Sequence, residues 1–191
     1  RRTEIGPYLD ASDRLVRPAN AASSAPGRGL TVVPTSNGAR LAVINVLGSL
    51  FLHPATSMFE LIDGLVDAAT AETPLVLVDV HAEATSEKVA LARWLDGRVT
   101  AVIGTYTHVQ TSDARVQPGG TAAITDAGMT GPHESVLGRE IQPVLGRFLD
   151  GLPRRFEVAT GDNRLSAALV EFSPTGRAER IEWLSLKMPA V

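Results

Sequence analysis

Leu75-Val76-Leu77-Val78-Asp79-Val80-His81-Ala82-Glu83 is an apolar run broken by one acid and followed by a histidine between small and acidic residues. Leu75–Val80 has the length of a strand, and its near-continuous hydrophobicity suits one buried on both faces, as in a parallel sheet. Thr85 or Ser86 is positioned to cap a helix that runs to about Leu95 and stops at Asp96-Gly97. Val99–Ile103 is a second short apolar strand. Strand, helix and strand in this order predict a right-handed crossover between parallel strands. Loops that follow parallel strands leave the sheet at one edge, where open α/β folds bind ligands. His81, after the first strand, and His108, a few residues beyond the second, can therefore converge if the two strands are adjacent or nearly so.

Working outward, Ser57 is a plausible N-cap for a helix to about Ala69, with Met58, Leu61, Ile62, Leu65 and Ala69 on one face. Leu30–Pro34 and Arg40–Leu47 read as strands joined at Ser36-Asn37-Gly38. Residues 1–29, punctuated by Pro7, Pro18, Pro26 and Gly27, read as a short helical piece and an extended loop. Downstream, Thr121–Thr125 is a weaker strand after Pro118-Gly119-Gly120. Ile141, Val144, Leu145, Phe148 and Leu149 form an amphipathic helical stripe with Pro143 in the first turn. Arg155–Ala159, Ser166–Phe172 and Arg180–Leu186 read as antiparallel strands, the last two joined at Pro174-Thr175-Gly176. The pattern predicts an α/β layered domain with a mixed sheet or two facing sheets.

Composition narrows the function classes. The chain has 191 residues, 44% hydrophobic and 20% charged, with 18 Lys plus Arg against 21 Asp plus Glu and a net charge of −3. That excludes disorder and argues against a general nucleic-acid or anionic-membrane binder. The chain contains no cysteine, so it is neither a disulfide scaffold nor a cysteine-ligated zinc module. No stretch approaches the ~20 apolar residues of a membrane span. The lack of cysteine fits a cytoplasmic setting.

Chemistry concentrates in the two histidine loops. In the first, Asp79 and Glu83 flank His81; the second, Thr105-Tyr106-Thr107-His108-Val109-Gln110-Thr111, is rich in hydrogen-bonding side chains. Imidazole is a good ligand for zinc, iron, manganese or nickel. A ligating histidine usually donates its other N–H to a carboxylate or carbonyl, a role open to Asp79, Glu83 or Asp113. Thr125-Asp126-Ala127-Gly128-Met129-Thr130-Gly131-Pro132 reads either as a simple turn or as a third loop lining the same cleft, and Arg17 could place a cation near an anionic substrate, on the weak signal of a single arginine. His53, beside Pro54, reads as a surface or packing residue, and His133 as an ordinary loop residue.

Taken in order, Arg17-Pro18-Ala19-Asn20, Asp79–Lys88, Leu95–Val99, Thr107–Thr111, Pro118–Ala122, Asp126–Pro132 and Arg155–Ala159 resemble the motifs of the YmdB-like metallophosphoesterases through nearly the whole chain. The resemblance implies a four-layer α/β/β/α sandwich, incomplete at its N-terminus, with residues 1–191 as the C-terminal part of a single domain. It implies a phosphodiesterase acting on a small phosphodiester, a cyclic nucleotide such as a 2′,3′-cyclic nucleotide or cAMP. Two divalent or iron-type ions (Fe, Mn or Zn) would activate a bridging hydroxide for in-line attack at phosphorus. A cytoplasmic homo-oligomer is implied as well.

By the same resemblance His81, His108 and Tyr106 fall on metal-ligand positions. Tyr106 replaces a family histidine, and a phenol with a pKa of ~10 is a poor ligand for zinc or manganese, though a phenolate can bind Fe(III). The family's early Asp, its Glu-Asn pair and its Gly-Asn-His motif have no counterpart here, so the chain alone is expected to be inactive. The alternative expectation is a degenerate homologue that serves as a binding or oligomerisation module.

Overall fold

The computed structural model describes residues 3–189; Arg1 and Arg2 of the N-terminal lead-in lie outside them. A helical turn over Thr3–Ile5 leads into α1 (Gly6–Ala11). Then follow β1 (Leu30–Pro34), β2 (Arg40–Leu47), α2 (Met58–Thr70), β3 (Val76–His81), α3 (Thr85–Trp94), β4 (Ala101–Thr105), β5 (Arg115–Val116), β6 (Ala122–Ile124), β7 (Gly131–Pro132), α4 (Ile141–Asp150), β8 (Asn163–Phe172) and β9 (Ala178–Lys187). Six strands form one mixed sheet in the order β1-β2-β3-β4-β6-β5, and β7-β8-β9 form a second. β2, β3, β4 and β6 run parallel, as the strand–helix–strand reading requires, while β1 and β5 are antiparallel edges.

Alternation along β3 sets the layers. Val76, Val78 and Val80 are fully buried and join Ile62, Val66, Leu91 and Leu95 in the main core, which places α2 and α3 on one face of the large sheet. Leu77 on the opposite face packs with Ile103, Val116, Val170 and Ile181 around Ala101, Ala122 and Ala178, so the β8–β9 hairpin covers that face. The order helix, sheet, sheet is the expected sandwich without its outermost helical layer among the described residues. The outward face of the hairpin carries Leu165, Leu169 and Leu186, all exposed. Among the described residues no helix is long and apolar enough to cross a membrane.

Local chemistry explains most boundaries. The Ser57 hydroxyl accepts from Phe59 N–H and caps α2. Gly97, at a φ of 82°, turns the chain after α3, and Gly151, at 74°, ends α4. Several expectations need correction. α3 has Ala84, not Thr85 or Ser86, at its N-cap and no side-chain cap. Arg155–Ala159 is not a strand: it touches the fold through an isolated Arg139–Val158 bridge, because no neighbouring strand is placed to extend the pairing. The α4 stripe buries only Val144, while Phe148 and Leu149 are 81% and 86% exposed.

Candidate metal-binding and catalytic cleft

The register of the large sheet builds the first half of the site. Asp79 lies opposite Asn45 on β2 and Ile103 on β4, and His81 lies opposite Thr105. Since β3 alternates, Asp79 and His81 point away from α2 and α3, at the C-terminal edge of the parallel strands. His81 is therefore aimed by the last residue of a strand and not by a loop, which corrects the sequence reading.

A directed chain of hydrogen bonds follows. Asn45 Nδ2 donates to Asp79 Oδ2 at 2.7 Å, and Thr105 Oγ1 donates to Asp79 Oδ1 at 2.8 Å. The Thr105 hydroxyl has then spent its proton. It accepts from His81 Nδ1–H, 3.1 Å away. In the neutral imidazole this is the Nδ1–H tautomer, with the lone pair on Nε2. Asp79 thus orients His81 through an intervening threonine.

His108 reaches the same state by another route. Its Nδ1 lies 3.2 Å from the Leu137 carbonyl, which can only accept, so Nδ1 carries a proton and, in the neutral ring, Nε2 carries the lone pair. His81, Glu83, Tyr106, Thr107, His108 and Leu137 line one cleft of about 490 Å³. Tyr106 meets His81 edge to face, ring centroids 5.0 Å apart and planes at 70°. The convergence expected from strand order is therefore present, and Tyr106 shares it.

The second loop has an unusual backbone. Tyr106 and His108 have φ values of 111° and 66°, where residues with a Cβ cost on the order of 1–3 kcal/mol each. Contacts beneath the loop hold it there. Asp126 Oδ2 accepts from Thr107 N–H at 2.9 Å, from the Thr107 hydroxyl at 2.8 Å and from Lys88 Nζ at 3.0 Å. Asp126 Oδ1 accepts from Gly128 N–H at 2.9 Å. Burial pushes the Asp126 carboxyl up. The bonds from Thr107, Gly128 and Lys88 outweigh it and hold the group below its ordinary value. Gln110 Nε2 faces the carbonyls of Ala127, Ala167 and Leu184 at 3.0, 3.3 and 2.9 Å, tying the loop to the second sheet.

Other candidates resolve differently. The Thr125–Pro132 segment supports the cleft from below and does not line it. Asp113 accepts from the Thr111 hydroxyl and Thr125 N–H, not from a histidine. Burial raises its carboxyl, and those bonds bring it below the usual value. Arg17 is engaged with the carbonyls of Pro18, Ala25 and Pro26 and organises the lead-in, so it is not a free substrate cation. His133 bonds the Met129 carbonyl, and His53 is exposed in the loop after β2. Sequence reasoning places Thr105 in the hydrogen-bonding loop without a specific role and misses Lys88 and Leu137; Lys88 carries a signal, since it falls on the core stripe of α3 with Leu91 and Ala92.

The donor set fits a metal in part. Two imidazoles with free Nε2 atoms and one phenol share the cleft, and that chemistry suits zinc, manganese or iron. Among the described residues, however, no group of three or more His, Cys, Asp or Glu stands close enough to hold an ion. The described residues therefore do not complete a metal pair, which needs bridging carboxylate or further oxygen ligands.

Comparison with known proteins gives a consistent result. A family profile described as "YmdB-like protein" matches residues 1–184. The chain is 47% identical over 182 residues to the 2′,3′-cyclic-nucleotide 2′-phosphodiesterase of Bacillus subtilis, covering 95% of this chain and 69% of that protein. A crystal structure of a hypothetical protein from Thermus thermophilus superposes with a TM-score of 0.90 at 40% identity, over 98% of this chain and 73% of that one. A phosphatase from Mycoplasma pneumoniae superposes with a TM-score of 0.86 at 31% identity, over 97% and 68%.

Proposed function

The chain belongs to the YmdB-like family, and from that membership we propose that it forms part of a metal-dependent phosphodiesterase acting on a 2′,3′-cyclic nucleotide, with residues 1–191 as the C-terminal part of one catalytic domain. The relatives favour an enzyme of the phosphoesterase type over a non-catalytic binding module. The observation that carries the reading is the pair His81 and His108, each locked as the Nδ1–H tautomer with Nε2 free beside one cleft.

In this reading His81 and His108 each give one imidazole to a metal centre whose remaining ligands lie outside the described residues. When bound, two divalent or iron-type ions supply Lewis-acid neutralisation of the phosphate oxygens. The chain's own part is orientation. Asn45, Asp79 and Thr105 aim one ring, and the Leu137 carbonyl aims the other. Tyr106 packs against His81 at the third ligand position and weakens or replaces a ligand there. A cytoplasmic setting and assembly of several copies complete the proposal.

The test is hydrolysis of 2′,3′-cyclic AMP by the full-length protein with Mn²⁺; robust hydrolysis by the 191-residue chain alone would overturn the expectation that it is inactive by itself. Activity should disappear with EDTA. His81→Ala and His108→Ala should each lower kcat/KM by about 100-fold or more, at or beyond the upper end of the loss expected for an outer hydrogen-bonding partner. Turnover that resists chelation overturns the metal reading. Tyr106→His separates the roles of the phenol: a large gain means that tyrosine impairs the site, and a loss means that tyrosine serves it. Iron-loaded protein with a phenolate ligand should show a visible charge-transfer band, and colourless iron-loaded protein excludes that ligand.

A further inference from the structure

Among the described residues, the buried charged side chains are Lys88 and Asp126, an ion pair beneath the second histidine loop that the proposed chemistry leaves unused. Lys88 and Asp126 side chains are each only 2% exposed, and their charged atoms lie 3.0 Å apart. A buried ion pair is weak evidence of stabilisation, because apolar residues of similar volume often serve equally well. Here its arrangement gives a different reason for it. One carboxylate oxygen gathers three donors, and two of them belong to Thr107. Thr107 stands between Tyr106 and His108, two of the cleft residues held at positive φ.

We propose that Lys88 and Asp126 act as a positioning clamp on the Tyr106–His108 turn, setting through Thr107 the direction in which His108 presents its free nitrogen. Neither residue touches the substrate. Lys88 is fixed by α3, whose core face also carries Leu91 and Ala92, so the clamp refers the loop to the rigid helix–sheet core. Asp126 is fixed at the end of β6 by Gly128 N–H. Gly104 allows the close approach: a Cβ there would stand 1.8 Å from the Thr125 carbonyl oxygen. His81 is held independently by Thr105 and Asp79. The clamp therefore acts on one of the two rings. The inference rests on the reading of His108 as a donor into the cleft.

The experiment follows the two rings separately by long-range ¹⁵N–¹H spectra of ¹⁵N-histidine-labelled protein at pH 8. The wild type should show both as Nδ1–H tautomers. In Thr107→Val and in the charge-free double variant Lys88→Met/Asp126→Asn, the His108 signal should move toward the mixture of a solvent-exposed ring while His81 stays in place. Thr107→Ser should restore the wild-type signal. An unchanged His108 ring in the double variant overturns the clamp; Thr107→Val removes the hydroxyl bond alone and keeps the Thr107 N–H bond to Asp126, so an unmoved ring there beside a moved one in the double variant assigns the clamp to the backbone bond. A fall in Tm with both rings unmoved in the double variant also overturns it, since a purely structural pair would give that result. Zn²⁺ added to wild type should shift both rings. If neither responds, the donor reading fails while the tautomer spectra still decide the clamp.

Discussion

Thr105 and Asp126 show how a single hydrogen-bonding group decides what a site can do. Thr105 accepts from one imidazole because its own proton is committed to Asp79. Thr105→Val should therefore free the His81 ring to populate both tautomers and lower metal affinity by about 10–100-fold, the range for an outer hydrogen-bonding partner; Zn²⁺ titration followed at the His81 ring measures it. Asp126 makes a second prediction, in stability against pH. Its folded carboxyl lies below its ordinary value of 3.8. The stabilisation from its bonds is therefore complete above about pH 4 and is lost as pH falls through the lower, folded value. Thermal melts of wild type should lose Tm steeply below pH 4. Asp126→Asn should start lower at neutral pH and fall less in the same window. Parallel curves for the two proteins would assign the acid sensitivity to other carboxylates.

At the scale of elements, β3 and β4 and the approach of the β6 loop make the cleft, and Gly104 is the point where they meet. Any side chain there must displace the Thr125 carbonyl. Gly104→Ala should cost about 3 kcal/mol or more, as overpacking with backbone shift does, and chemical denaturation would read it. The strands that form this framework were legible because their signals are local. Apolar runs and an Asn-Gly turn place β1 to β4 within two residues of where they lie. The convergence of His81 and His108 was legible too, since it follows from strand order. What sequence could not show is direction: that Asp79 would reach His81 through Thr105, or that Asp113 would turn to Thr111 and Thr125, depends on register and on which face each residue takes. The Arg155–Ala159 segment misled for a related reason. Alternation marks a chain able to pair, and pairing needs an available partner. The α4 stripe is a true amphipathic pattern whose apolar face, Val144 apart, meets no core among the described residues.

On the scale of the whole molecule, the two sheets are unequally protected. The large sheet is covered by α2 and α3 on one face and by the β8–β9 hairpin on the other. Among the described residues the hairpin has cover on its inner face only, and the outer edge of β8 pairs with β7 at Asn163 and Arg164 alone. An open strand edge with exposed leucines beside it is a template for association, and Phe148 and Leu149 on α4 add a second apolar area. The 191-residue chain expressed by itself is therefore expected to self-associate at micromolar concentration, with sedimentation that changes on dilution and with binding of a hydrophobic dye. Replacing Leu165 and Leu169 together by lysine should reduce both signals while leaving the main core of β2, β3, α2 and α3 folded, since neither leucine belongs to it. Suppression in that double variant would place the association on the hairpin face. Unchanged association would move it to α4, where Phe148→Glu then becomes the deciding variant. A sharp two-state melt of a dye-silent monomer would overturn the expectation, and would mean that the hairpin's strand pairing and inner face suffice to keep its outer face in water.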